Sequence, residues 1–145
     1  MHILIINGPS INLLGEREPE LYGHKTYAEL EETLKTYAQT HQFKLTIHQT
    51  NYEGMIIDLL QLAHKENYTA VILNAGAFTH YSYALYDAIK AIKVPVYEVH
   101  LTNPKEREEP FRHRSLIEPA CKKSFVGKGF ESYLEAIATI IGRKP

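Results

Sequence analysis

The chain has 145 residues, 44% of them hydrophobic and 23% charged, with a formal net charge of -1 at pH 7. That fits one soluble globular domain over residues 1–145, large enough for a real core. It argues against a nucleic-acid protein relying on broad phosphate attraction and against a polybasic membrane binder, but not against a small anionic substrate held by a few arginines.

Ile3 to Ile6 is a four-residue apolar run ended by Asn7-Gly8-Pro9, which reads as a buried strand and not as a signal peptide. No run approaches the ~20 apolar residues of a membrane span. Next comes the charged segment Glu16-Arg17-Glu18-Pro19-Glu20-Leu21-Tyr22-Gly23, read as a loop. Thr26 and Glu29 form a capping-box pattern, and Leu30, Leu34, Tyr37 and Ala38 then recur at helical spacing. Lys44 to Gln49 reads as a strand. Glu53 to Glu66 reads as a helix with Ile56, Leu59, Leu60 and Ala63 on one stripe. Ala70 to Leu73 is an apolar strand, and Ser82 to Lys93 a helix with Leu85, Ala88, Ile89 and Ile92 facing inward. Val96 to His100 and Ser124 to Val126 read as strands, and Phe130 to Ile141 as a closing amphipathic helix. The single cysteine, Cys121, reads as a small buried residue; without a disulfide partner it points to a reducing cytoplasm.

Strand-helix alternation implies right-handed crossovers onto a parallel sheet with helices on both faces. Five strands in so short a chain suggest a flavodoxin-like three-layer α/β/α fold, a five-stranded parallel sheet in the order 2-1-3-4-5. Ligands then bind beyond the carboxyl ends of the strands, near the switch point between strands 1 and 3. The chemically capable residues fall at those ends. Strand 1 leads to Asn7, Asn12, Arg17 and Tyr22, strand 3 to Asn74 and His80, and strand 4 to Glu98, His100, Leu101 and Thr102.

An always-charged guanidinium held near a phenol favours the phenolate, so the Arg17–Tyr22 segment suits a general base on a mobile lid. A charged solvated turn has the same composition. Glu98 and His100 share one strand face; a carboxylate there orients the imidazole and favours its protonated form, as a general acid requires, or the two form a structural pair. Asn74 and His80 frame Ala75-Gly76-Ala77, a small turn that could present backbone N–H groups to a ligand or simply satisfy its own caps. Asp87 fits a site residue or an exposed helix position. Arg112, within Phe111-Arg112-His113-Arg114-Ser115, suits anion or polyol recognition or a salt-bridged surface.

Gly8-Pro9-Ser10-Ile11-Asn12 is neither a P-loop nor a dinucleotide fingerprint. A phosphoacceptor receiver would carry acids where Asn7 and Asn74 stand. The eight histidines show no compact metal-ligand spacing. No Ser or Cys nucleophile with a base is visible. A non-catalytic binding module on the same scaffold would have no need of Tyr22, Arg17 and His100 together, so an enzyme is favoured.

In order, Ile6-Asn7-Gly8-Pro9, Asn12-Leu13-Leu14-Gly15, Arg17-Glu18-Pro19, Tyr22-Gly23, Gln49-Thr50-Asn51 and Glu53-Gly54 resemble the type II 3-dehydroquinate dehydratases. Asn74-Ala75-Gly76-Ala77, Thr79-His80, Asp87-Ala88, Glu98-Val99-His100-Leu101-Thr102-Asn103 and Phe111-Arg112-His113 extend the resemblance over nearly the whole chain; Ser10 departs from it, standing where the family usually has Asn. The resemblance implies a cofactor-free, metal-free hydro-lyase that takes water from 3-dehydroquinate by anti elimination through an enolate, giving 3-dehydroshikimate. That step serves the shikimate pathway or quinate degradation. The resemblance implies Tyr22 as base, Arg17 as the group keeping it ionised, His100 as acid and Glu98 as its orienting partner. Asn12 would hold a water against the enolate oxygen. Asn74, the Leu101 backbone and Thr102 would take the carboxylate, and His80 and Arg112 the ring hydroxyls. Asp87 would reach a neighbouring subunit's substrate within a homododecamer of four trimers.

Overall fold

A computed structural model describes residues 1–143. Its centre is a five-stranded parallel sheet in the order β2-β1-β3-β4-β5. The strands are β1 His2–Asn7, β2 Lys44–Gln49, β3 Ala70–Asn74, β4 Val96–His100 and β5 Lys123–Val126. The order is the flavodoxin-like one expected from the alternation of elements.

Period-two alternation divides the core. Ile3, Ile5, Ile72, Tyr97 and Val99 face one side, against Leu30 and Leu34 of α2 (Tyr27–His41) and Tyr133, Ala136 and Ile137 of α5 (Phe130–Ile141). Leu4, Ile6, Val71, Leu73 and Val96 face the other side. They meet Ile56 and Leu60 of α3 (Glu53–Lys65) and Leu85 and Ile89 of α4 (Tyr83–Ala91). β1 and β3 are nearly continuous apolar runs because both their faces are covered.

The capping signals act as expected. Thr26 Oγ1 accepts from the Glu29 N–H at 3.1 Å, and Glu29 returns a bond to the Thr26 N–H at 3.3 Å. Ser82 caps α4 by accepting from the Leu85 N–H at 3.0 Å, and donates to Glu53 of α3 at 2.6 Å. α4 is shorter than its periodicity predicts. It ends at Ala91, and Ile92 is extended (φ -106°, ψ 155°) while still packing on the core. The chain must turn here to enter β4 at Val96, and Pro95 cannot continue a helix. The charged segment expected as a loop contains a one-turn helix, α1 (Pro19–Tyr22), begun by a proline at its first position. Cys121 is half-buried, and burial, with Glu98 and Glu118 nearby, pushes its thiol well up, as for an inert residue.

β1 and β3 come unusually close where they leave the sheet. The Gly8 N–H donates to the Asn74 carbonyl at 2.8 Å, and a Cβ on Gly8 would lie 2.8 Å from the Ala75 carbonyl oxygen. Gly76 has φ +58° and lies against Pro9. Small residues therefore permit this close approach at the switch point. No helix among the described residues is long and apolar enough to cross a membrane.

Candidate active site

A cavity of about 170 Å³ opens beyond the carboxyl ends of β1, β3 and β4, where a doubly wound sheet places its ligands. It is lined by Arg17, Tyr22, Asn74, His80, His100, Leu101, Thr102 and Arg112, all singled out from the sequence, and by Arg107, which was not.

Tyr22 enters from the last position of α1 and packs its ring against the apolar core. Two guanidiniums flank it. Arg17 lies over the ring, its Cζ 4.8 Å from the centroid. Arg107 donates from Nη1 to the Tyr22 hydroxyl at 2.9 Å, with its Cζ 5.6 Å from the centroid. Glu18 lies 3.8 Å from both guanidiniums, at the strained left-handed start of α1 (φ 37°). The His113 ring is hydrogen-bonded through Nε2 to the Arg107 carbonyl.

His100 ends β4 and is buried, its Nε2 2.7 Å from Glu98 Oε2. The imidazole donates to the carboxylate through Nε2, which leaves Nδ1 as the nitrogen free for other work. Glu98 is 1% exposed and also accepts from Ser115 at 2.7 Å and Ser124 at 2.8 Å. Burial works against ionising it, but His100 and the two hydroxyls outweigh that cost and hold the carboxyl below its ordinary 4.5.

The other expected residues are distributed unevenly. His80 Nδ1 donates to the Arg114 carbonyl at 2.8 Å, which leaves Nε2 available. Burial keeps this imidazole below its ordinary value, and the Arg114 bond opposes that only partly. Asn74 is tied into the floor. Its amide donates to the Tyr133 hydroxyl at 2.9 Å and its Oδ1 accepts from the Gly76 N–H at 3.3 Å. One N–H of the expected backbone cradle is thus already engaged. Arg112 pairs with Glu109 and stacks 4.7 Å over the Phe111 ring. Asn12 is exposed on the short helix Ile11–Leu13, outside the cavity lining, and Asp87 is exposed on α4, also away from it. Among the described residues, no three His, Cys, Asp or Glu side chains gather as a metal-holding group.

The family model described as dehydroquinase class II matches residues 1–141. The chain belongs to that family. It is 53% identical over 137 residues to the 3-dehydroquinate dehydratase of Bacillus licheniformis, covering 94% of this chain and 93% of the relative. It is 49% identical over 140 residues to that of Bacillus pumilus, covering 97% and 94%. The crystal structure of the type II dehydroquinase from Butyrivibrio crossotus superimposes with a TM-score of 0.95 at 40% identity, covering 97% of each chain.

In this dehydroquinase chain the residues missed by sequence reasoning are Arg107, Ser115, Ser124 and Tyr133. Arg107 sits among Glu106, Glu108 and Glu109, a run that reads as solvated surface. Only the fold returns it to Tyr22, 85 residues earlier in the chain. Ser124 had a local signal. It falls opposite Glu98 in the β4–β5 register, but assigning that register requires the sheet.

Proposed function

We propose that this member of the dehydroquinase class II family eliminates water from 3-dehydroquinate with Tyr22 as general base and His100 as general acid. The observation that carries the assignment is that one small cavity is lined by both a tyrosine hydrogen-bonded to Arg107 and a histidine hydrogen-bonded to a buried carboxylate. Elimination beta to a ketone needs both groups.

Tyr22, as the phenolate, takes the proton from the carbon next to the ketone, and the C–H electron pair moves into the enolate. Collapse of the enolate restores the ketone, forms the carbon–carbon double bond and breaks the bond to the beta hydroxyl. His100 protonates that oxygen, so the group leaves as water. Arg107 and Arg17 flank the phenol and add positive potential where negative charge develops. Glu98 holds the imidazole in place. Asn12 holds a water against the enolate oxygen when the segment closes. Asn74, the Leu101 backbone and Thr102 receive the carboxylate, and His80 Nε2 and Arg112 receive ring hydroxyls. No organic cofactor or metal enters this scheme.

Asp87, exposed and remote from its own cavity, reaches a neighbouring subunit's substrate in a dodecamer of four trimers. A reducing cytoplasm is the compartment that suits a chain with one inert cysteine. The test is a continuous ultraviolet assay for the conjugated enone, run on metal-stripped protein beside Tyr22→Phe. Turnover by the wild type, abolished in the variant, is expected. No turnover by folded wild type would favour a non-catalytic binding module.

A further inference from the structure

The Glu98 carboxylate has more partners than orienting one imidazole requires. Its Oε2 accepts from His100 and from Ser115, and its Oε1 accepts from Ser124. Neither serine lines the cavity that holds Tyr22. Both line a second cavity, of about 260 Å³, which Glu98 and His100 also line.

Each hydroxyl is aimed by the fold. Ser115 Oγ accepts from the Glu118 N–H at 3.1 Å, which turns its own hydrogen towards the carboxylate. Ser124 stands opposite Glu98 in the parallel β4–β5 register, so the ladder sets its distance. Together with His100 these are three donors around one buried acceptor. A carboxylate accepts all three bonds at once; a protonated carboxyl would have to donate one and so lose a bond from the partner it faces. The arrangement disfavours passing the imidazole's proton to Glu98 and fixes the carboxylate against rotation, so that Oε2 stays on Nε2. Nδ1 then keeps one direction.

We propose that Ser124 and Ser115 are positioning residues for the elimination, holding Glu98 as a hydrogen-bond-saturated anion that fixes His100 in its acid geometry. This rests on the reading of His100 as the acid. A hydrogen bond to a charged group contributes enough that losing one corresponds to roughly a tenfold change in rate.

The test compares wild type, Ser124→Ala, Ser124→Thr and His100→Ala in the enone assay with 3-dehydroquinate. Ser124→Ala is expected to lower kcat about tenfold with KM unchanged, and Ser124→Thr, which restores a hydroxyl, to recover most of the rate. Ser115→Ala supplies the same comparison if Ser124→Ala does not fold. A folded Ser124→Ala with wild-type kcat overturns the proposal, as does a loss carried by KM or a Thr variant no better than Ala. Failure of the reading beneath it is distinct: the wild type would then be inactive, or His100→Ala would match the wild type.

Discussion

Arg107 Nη1 lies 2.9 Å from the hydroxyl of Tyr22, so the proposed base receives its hydrogen bond from a residue 85 positions away. Arg17, its neighbour in sequence, stacks over the ring instead. The two guanidiniums therefore act differently: Arg107 directs an N–H at the oxygen that must carry charge, and Arg17 adds potential across the face. Arg107 is also the more enclosed, its side chain 11% exposed against 30% for Arg17, so water screens it less.

Arg107→Gln is accordingly expected to cost more than a surface charge change. It removes the cation and, being shorter, also withdraws the donor from the Tyr22 hydroxyl. The expected loss is about 10²-fold in kcat, with Arg107→Lys intermediate because an ammonium keeps the charge without the planar fork. Steady-state kinetics on the two variants measures this; a Gln variant within a few-fold of wild type would remove Arg107 from the chemistry.

Tyr22→Phe keeps the ring that packs on the core and removes only the reacting oxygen. Turnover should fall by about 10² to 10⁴-fold, with ligand affinity changed far less. His100→Ala should also cripple kcat. Titration calorimetry with the substrate on the Tyr22→Phe protein separates the two quantities. A near-normal kcat in Tyr22→Phe would overturn the base assignment.

The sheet order was legible because strands alternate with helices, β1 and β3 as short apolar runs closed by turn residues, and because crossovers have one hand. Tyr22, Arg17, Glu98 and His100 were legible because strand ends and a charged segment mark them. Arg107 was not, since the Glu106 to Glu109 run is chemically indistinguishable from solvated surface. The length of α4 was misjudged because Ile92 keeps its apolar contact after the helix has ended. Apolar periodicity reports burial, and burial does not require the helical hydrogen bond.

Tyr133 is a structural prediction hidden beneath the site. Its hydroxyl donates to Asn7 Oδ1 at 2.6 Å and accepts from the Asn74 amide at 2.9 Å, tying α5 to the ends of β1 and β3. It is fully buried, and burial pushes its phenol well up, so it serves as a neutral bridge. Tyr133→Phe preserves the packing but leaves two amide groups short of a partner. The expected cost is about 1–3 kcal/mol in urea unfolding, with a further loss of activity through displaced Asn74. An unchanged unfolding midpoint would show that the bridge contributes nothing.

Glu98 should also make folding stability depend on pH. Its folded carboxyl titrates below the ordinary 4.5, because the His100 and serine hydrogen bonds outweigh the cost of burial. A depressed folded value means that the unfolded chain binds the proton first as pH falls. The stabilisation is therefore complete above about pH 4.5 and is lost progressively as pH drops from there through the folded value. Glu98→Gln has no such titration, and its amide must place an N–H against donors that need an acceptor. The variant should be less stable than wild type at neutral pH, by roughly 1–3 kcal/mol, and the gap should narrow with acid. Denaturant melts of both proteins at a series of pH values, read from about pH 5 downwards where free imidazoles are already protonated, follow the coupled Glu98–His100 pair, because every other carboxyl is common to the two proteins. Parallel stability curves would mean that Glu98 titrates alike folded and unfolded, and that its three donors do not favour the anion.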